Sequence, residues 1–316
     1  MTTKPQPTLT QSSVKVGVGP KVHISSFGSI PLTNDGSKVE LYCLGHGAML
    51  SPTNTSYLAV IGKTSLLIDC GFTVPSALTR FGFSPASVSD LFITHTHGDH
   101  TGGLSKLLVQ NRYCRDLVLG KKVSLWAPRI WAQNLWNHTL AGDLSSHDSD
   151  VTMLDGGTDN LKSLPSSEWY DIVLPWGQSS YAKRDVYLFE KGGLKVEAFR
   201  TMHTPARATS WSDSAWSTGL LINDSIWISS DTRFDAELVR AYAPRATMMI
   251  HDASPKSKDP VHASLDAISS FGINIKAKMW LSHLPHGFDD EASEEKVRSK
   301  GFRGLALAGT KFSVVV

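Results

Sequence analysis

Residues 93–103, ITHTHGDHTGG, set three imidazoles and a carboxylate within six positions, directly after the apolar run Leu91-Phe92-Ile93. In a strand and the loop leaving it, residues two apart point the same way, so His95 and His97 face one position. A turn at Gly98 then aims Asp99 and His100 at a neighbouring one. Imidazole and carboxylate donors suit zinc, with manganese or iron also fitting. Four ligand-type side chains at this spacing point to a metal site at the end of a buried strand. The donors that complete it must come from elsewhere in the chain.

The rest of the sequence is compatible with a large core. It has 316 residues, 41% hydrophobic and 19% charged, the make-up of a globular protein. A net charge of +2 offers no basic field for bulk nucleic acid. Cys43, Cys70 and Cys114 form no CxxC pair and are odd in number, which fits a reducing, cytoplasmic setting. No segment approaches bilayer-spanning length, so no membrane partner is expected. Residues 1–20 read as a flexible tail ahead of a single domain over 21–316. The runs at 39–45, 56–62 and 64–71 predict consecutive strands of a mostly antiparallel sheet, and DLFIT (90–94) predicts another. Helices are expected through VPSALTRFG, from about Thr101 through GLSKLLVQN, over 128–140 and over 261–272. DVYLFE, LKVEAFR, STGLLIN, SIWISSD, Lys276 to Leu281 and GLALAG add strands. The polar, turn-rich stretch 141–180 reads as a surface insertion. Strands and helices followed by strands and helices predict an α/β protein, an αββα sandwich of two mixed sheets flanked by helices.

The HxHxDH segment resembles the signature of the metallo-β-lactamase superfamily, which continues with a lone histidine, an aspartate and a final histidine. Matching positions occur in that order and each follows an apolar run: His203 in VEAFRTMHTP, Asp231 at the end of SIWISSD, and His283 in MWLSHLPHGF. The resemblance implies two divalent ions, zinc first and manganese as the alternative. His95, His97 and His203 would hold one, Asp99, His100 and His283 the other, with Asp231 bridging. Asp69, in SLLIDCG, stands where the family carries an early acidic residue and is expected to orient the ligand loop from behind. Such a pair of ions would hold a hydroxide and an anionic substrate together.

Three further stretches resemble the branch that contains RNase Z and the cyclic-nucleotide phosphodiesterases, phage-type enzymes that destroy cyclic-nucleotide immune signals among them. They are LGHGAMLSPTNTSYLAVIGKTSLLIDCG (44–71), MMIHDAS (248–254) and VHASLDAI. This likeness implies His262 at the opening of a helix as proton donor to the leaving oxygen, acting with Asp99 and Asp231. It also implies His251 behind the ligands, and a homodimer. Arg207 and Arg233 are candidate phosphate contacts, Trp211 a candidate stacking partner for a base, and His286 a candidate substrate contact. No Gly/Pro/Lys-rich arm for tRNA is present, and Asp143, Asp148, Asp150, Asp155 and Asp159 in 141–180 would repel an RNA backbone. The expectation is a dinuclear phosphodiesterase that converts a small phosphodiester, a cyclic nucleotide foremost, to a nucleoside monophosphate. RNase Z-like cleavage and hydrolysis of a lactone or thioester are the alternatives, with a non-catalytic binding protein behind them.

Overall fold

The computed structural model describes residues 22–146 and 164–316. One sheet contains β1 (Val22–Ser26), β2 (Lys38–Gly45), β3 (Ser56–Ile61), β4 (Thr64–Ile68), β5 (Asp90–Phe92), β6 (Val123–Trp126) and β7 (Tyr170–Val173). The second contains β8 (Gly177–Tyr181), β9 (Arg184–Lys191), β10 (Leu194–Arg200), β11 (Thr218–Ile222), β12 (Ile226–Ile228), β13 (Met248–Asp252), β14 (Met279–Ser282) and β15 (Gly304–Leu305). The last strand, β16 (Thr310–Val315), returns to the first sheet and lies between β1 and β2.

The predicted β2, β3 and β4 pair antiparallel as a meander. From β4 to β7, and again from β12 to β15, the pairing is parallel. Parallel neighbours need crossover connections, and helices supply them at Val74–Arg80, Leu104–Cys114, Arg129–Leu135, Ala236–Tyr242 and Glu291–Ser299. Strands buried on both faces read as continuous apolar runs. In β2, Val39, Leu41 and Cys43 enter the core between the sheets, while Tyr42 and Leu44 lie in the core on the sheet's outer side. A third core packs the second sheet against its helices through Trp227, Met249, Leu238 and Val297. The layers are therefore those of an αββα sandwich. Its parallel strands send the loops after β4, β5, β12, β13 and β14 toward one edge.

Several expectations change. Residues 147–163 of the anticipated insertion lie outside the described residues, but the segment after them is not a surface excursion. Trp169 and Tyr170 are buried, β7 closes the first sheet, and β8 edges the second. The helix expected over 261–272 is shorter, Leu265–Ser269, because the Ser264 side chain caps it by accepting from Ala267 N. Lys276 ends a helical turn, Ile273–Lys276, and strand structure starts at Met279. In GLALAG only Gly304 and Leu305 pair. Strands β1, β6, β7, β8, β13 and β16 were not anticipated. β1 and β8 are edge strands with largely exposed side chains, so neither has an apolar face to announce it. Among the described residues no helix is long and apolar enough to cross a membrane.

Candidate metal centre

The donor-bearing residues leave their strands where the backbone turns sharply. Asp69, Ser230 and His283, just past β4, β12 and β14, have left-handed φ values of 61°, 51° and 58°. Such conformations in non-glycine residues cost roughly 1–3 kcal/mol each and persist where surrounding contacts enforce them. Here they turn side chains across the edge of the sandwich instead of along it. Gly71 meets a different demand: a Cβ there would stand 1.9 Å from the Asp99 carbonyl oxygen. Its absence lets the loop after β4 lie directly under the turn Gly98–Thr101 that carries Asp99 and His100.

Three donor groups result among the described residues, two that share a carboxylate and a third, Asp252, His262 and His283, beside them. His95, His97, His203 and Asp231 bring one ligand atom each within 4.8 Å of the others, and Asp99, His100, Asp231 and His283 do the same. Asp231 is common to both. Its Oδ2 lies 3.6 Å from His95 Nε2 and from His203 Nε2, and 3.3 Å from His283 Nε2, while Oδ1 lies 3.3 Å from His100 Nε2. The residues expected as ligands on sequence are thus brought together in two groups, with one carboxylate at the junction.

These residues fit divalent cations. His95 Nε2, His100 Nε2 and Asp231 Oδ1 are buried with no hydrogen-bond partner, whereas buried polar atoms are otherwise nearly always paired. A cation in each cluster gives them one and offsets the cost of burying so many polar groups. Behind them, Asp69 accepts from Thr94 N and Oγ1, both at 2.8 Å, and pairs with His100 Nδ1 at 2.7 Å. That bond aims His100 Nε2 toward Asp231.

Charge differs across the site. Burial holds the pKa of His95 well below the ordinary imidazole value, and lowers those of His97 and His203. Burial works the same way on His100 and His283, but neighbouring carboxylates outweigh it. Asp231 and Asp69 hold His100 well above the usual value, and Asp231, Asp252 and Asp99 push His283 up to about 10.

His262 stands beside both clusters, its ring 5.0 Å from that of His203 and stacked 4.9 Å from that of His283. Its Nδ1 pairs at 2.8 Å with Asp252 Oδ2, and Asp252 Oδ1 lies 3.5 Å from His283 Nδ1. Burial disfavours the charged imidazole, yet the Asp252 carboxylate raises the His262 pKa above its ordinary value. Asp252 was missed on sequence, where His251 was given the place behind the ligands. Alternation along β13 corrects this. Met248 and Ile250 face the core between the sheets, which puts Asp252 on that side at the strand's end. His251 turns the other way, onto the Trp227 ring at 5.5 Å.

The anticipated substrate contacts are scattered. Arg233 lines a cleft with His262 and Phe234. Trp211 does not line it; its Nε1 donates to Lys183 O and its ring lies under Arg200. Arg207 and His286 are exposed and do not line it either.

Two donor clusters joined by one carboxylate, at the strand ends of an αββα sandwich, define a metal-dependent hydrolase of the metallo-β-lactamase fold. Solved structures agree on the fold. The metallo-β-lactamase fold protein YhfI from Bacillus subtilis is 15% identical with a TM-score of 0.59, over 87% of this chain and 99% of that one. A diphosphatase from the PhnP family is 16% identical, TM-score 0.59, over 88% and 99%. Short-form human tRNase Z is 20% identical, TM-score 0.52, over 79% and 94%. At these identities the likeness is one of fold. The chain belongs to the anti-Pycsar protein Apyc1 family, whose pattern matches residues 39–312. The anti-Pycsar protein Apyc1 of Paenibacillus sp. (strain J14) is 31% identical over 249 residues, 78% of this chain and 89% of that protein. The one from Bacillus phage 010DV004 is 30% identical over 258 residues, 80% and 91% respectively. Anti-Pycsar proteins degrade cyclic nucleotides, and the activity of this chain is metal-dependent phosphodiester hydrolysis.

Proposed function

We propose that this chain hydrolyses cyclic nucleotides to nucleoside monophosphates at a two-metal centre. The observation that carries this is the sharing of Asp231 between two donor clusters, with the Asp252-held His262 beside both. His95, His97 and His203 would hold one cation, Asp99, His100 and His283 the other, and Asp231 would serve both. Zinc is the cation favoured by this imidazole and carboxylate set. Bound cations supply Lewis acidity toward phosphate oxygens and toward a water molecule. The chain's own residues do the rest. Asp231 sets the spacing of the two cradles. Asp69 fixes the His100 ring, so that the donors stay aimed while the substrate changes shape. Asp252 occupies His262 Nδ1 and favours its charged form, which leaves a proton at Nε2 for the departing ribose oxygen. Water loses a proton to solvent as its oxygen joins phosphorus, the bond from phosphorus to the ribose oxygen breaks, and that oxygen takes up the proton from His262.

The assay compares leaving groups. In metal-loaded protein, His262→Ala loses about 10²–10⁴-fold in kcat on a cyclic nucleotide, the usual contribution of a general acid. It loses far less on bis-p-nitrophenyl phosphate, because nitrophenolate departs without a proton. Metal content stays at the wild-type level. Wild-type protein that turns over carbonyl esters and no phosphodiester would overturn the assignment.

The reading extends to the rest of the molecule. Residues 21–316 form one domain, supported by the insertion of C-terminal β16 between β1 and β2. The resemblance to the phosphodiesterase branch supports a homodimer, which sedimentation velocity tests directly. Three free thiols support a reducing, cytoplasmic setting.

A further inference from the structure

Beside His262 opens a cleft of about 280 Å³ whose wall carries Arg233, Phe234, Lys258 and Asp259. Lys258 is exposed and has no ion pair among the described residues. Arg233 donates to the Ala208 carbonyl through Nη1, and its backbone N–H to Met202 O, which tethers it at the cleft wall. Asp259, the one carboxylate in the lining, is already engaged. Its Oδ1 accepts from Val261 N and His262 N, both at 3.1 Å, and its Oδ2 accepts from Ser254 Oγ at 2.9 Å. Those bonds bind the loop that bears Lys258 to the backbone of His262. Phe234 packs on Phe271, with ring centroids 5.4 Å apart, and is braced from behind.

Under the phosphodiesterase reading, on which this step rests, in-line displacement puts the leaving oxygen on the His262 side. Whatever that oxygen belongs to must then enter this cleft. Arg and Lys side chains offer donors and no acceptors, so they match an acceptor-rich group, and an aromatic wall matches a flat ring. We propose that Lys258, with Arg233, is the specificity-determining contact for an acceptor-rich group of the substrate beyond the leaving oxygen. That group is a carbonyl-bearing nucleobase edge or a second phosphate, set against the face of Phe234.

The test measures kcat/KM of metal-loaded Lys258→Ala on cyclic mononucleotides of different bases, on a cyclic dinucleotide and on bis-p-nitrophenyl phosphate. Losing a hydrogen bond to a charged donor predicts a fall of about tenfold on the nucleotides, carried by KM. The fall on the aryl ester is smaller. Lys258→Arg restores the loss, and Lys256→Ala, which removes the same charge two residues away, leaves all substrates unchanged. Affinity for the product mononucleotide, read by calorimetry, falls in parallel. A loss that varies with the base assigns the contact to the base edge; a loss confined to the dinucleotide assigns it to a phosphate. Equal losses on nucleotides and aryl ester, or none on any, would overturn the proposal while wild-type turnover leaves the phosphodiesterase reading standing. Absence of wild-type turnover on every phosphodiester would instead remove that reading, and this one with it.

Discussion

The two donor clusters share Asp231 but are backed differently. Around His95, His97 and His203 the supporting atoms are neutral: Thr94 Oγ1 lies 3.1 Å from His95 Nδ1, and Val261 O lies 2.8 Å from His203 Nδ1. Around His100 and His283 they are carboxylates, Asp69 and Asp252. Burial lowers the pKa of the imidazoles in the first cluster, and carboxylates raise it in the second despite burial. The lesson is that equal ligand types do not make equal sites. The atom behind each imidazole decides how basic it is and whether it carries a proton before a cation arrives.

The comparison can be broken at its junction first. Asp231→Asn removes the only carboxylate common to both cradles. Metal content by elemental analysis should fall below two per chain, and turnover should fall by more than ~10³-fold, the scale lost with a single well-placed transition-state donor. An asparagine variant that keeps both cations and most activity would show that Asp231 does not join the sites. Asp252→Asn comes next. It weakens the support of His283 and His262 together, so kcat on cyclic nucleotides and occupancy of the second cradle should both drop by about 10–100-fold. Asp69→Asn isolates one cradle. Affinity at the Asp99–His100–His283 site should fall by about 10–100-fold, with the histidine-rich site unchanged in a stepwise metal titration. Equal weakening of both would mean that the backing groups act on the site as a whole. Smallest is Thr94→Val. Thr94 Oγ1 donates to Asp69 and accepts from Ser230 Oγ at 2.8 Å, so chemical denaturation should show a loss of about 1–3 kcal/mol from unpaired buried groups.

How much of this was legible in advance varies by residue. HTHGDH was plain, because contiguous residues at strand spacing must share a face. His203, Asp231 and His283 came from the resemblance to the superfamily signature, and the structure gathers them with the HTHGDH donors. Asp252 was not seen, although period-two alternation through Met248 and Ile250 would have put it on the inner face, ahead of His251. Strand β7, Tyr170–Val173, was hidden because its four residues are too short a run to stand out from the polar stretch before it. Lys258 and Arg233 gave no signal as a pair, because nothing in a linear sequence says that loops after β12 and β13 wall one cleft.

The sequence by itself determined the donor types, their grouping around HTHGDH and the layered α/β architecture. These depend on periodicity and on local order, both of which are written along the chain. Tertiary structure alone decided which carboxylate stands behind which imidazole and that a cationic cleft opens beside His262. Those facts depend on the relative placement of strand ends far apart in sequence. That placement comes from the parallel pairing of β4 with β5 and of β12, β13 and β14, and from how the two sheets pack on their shared core.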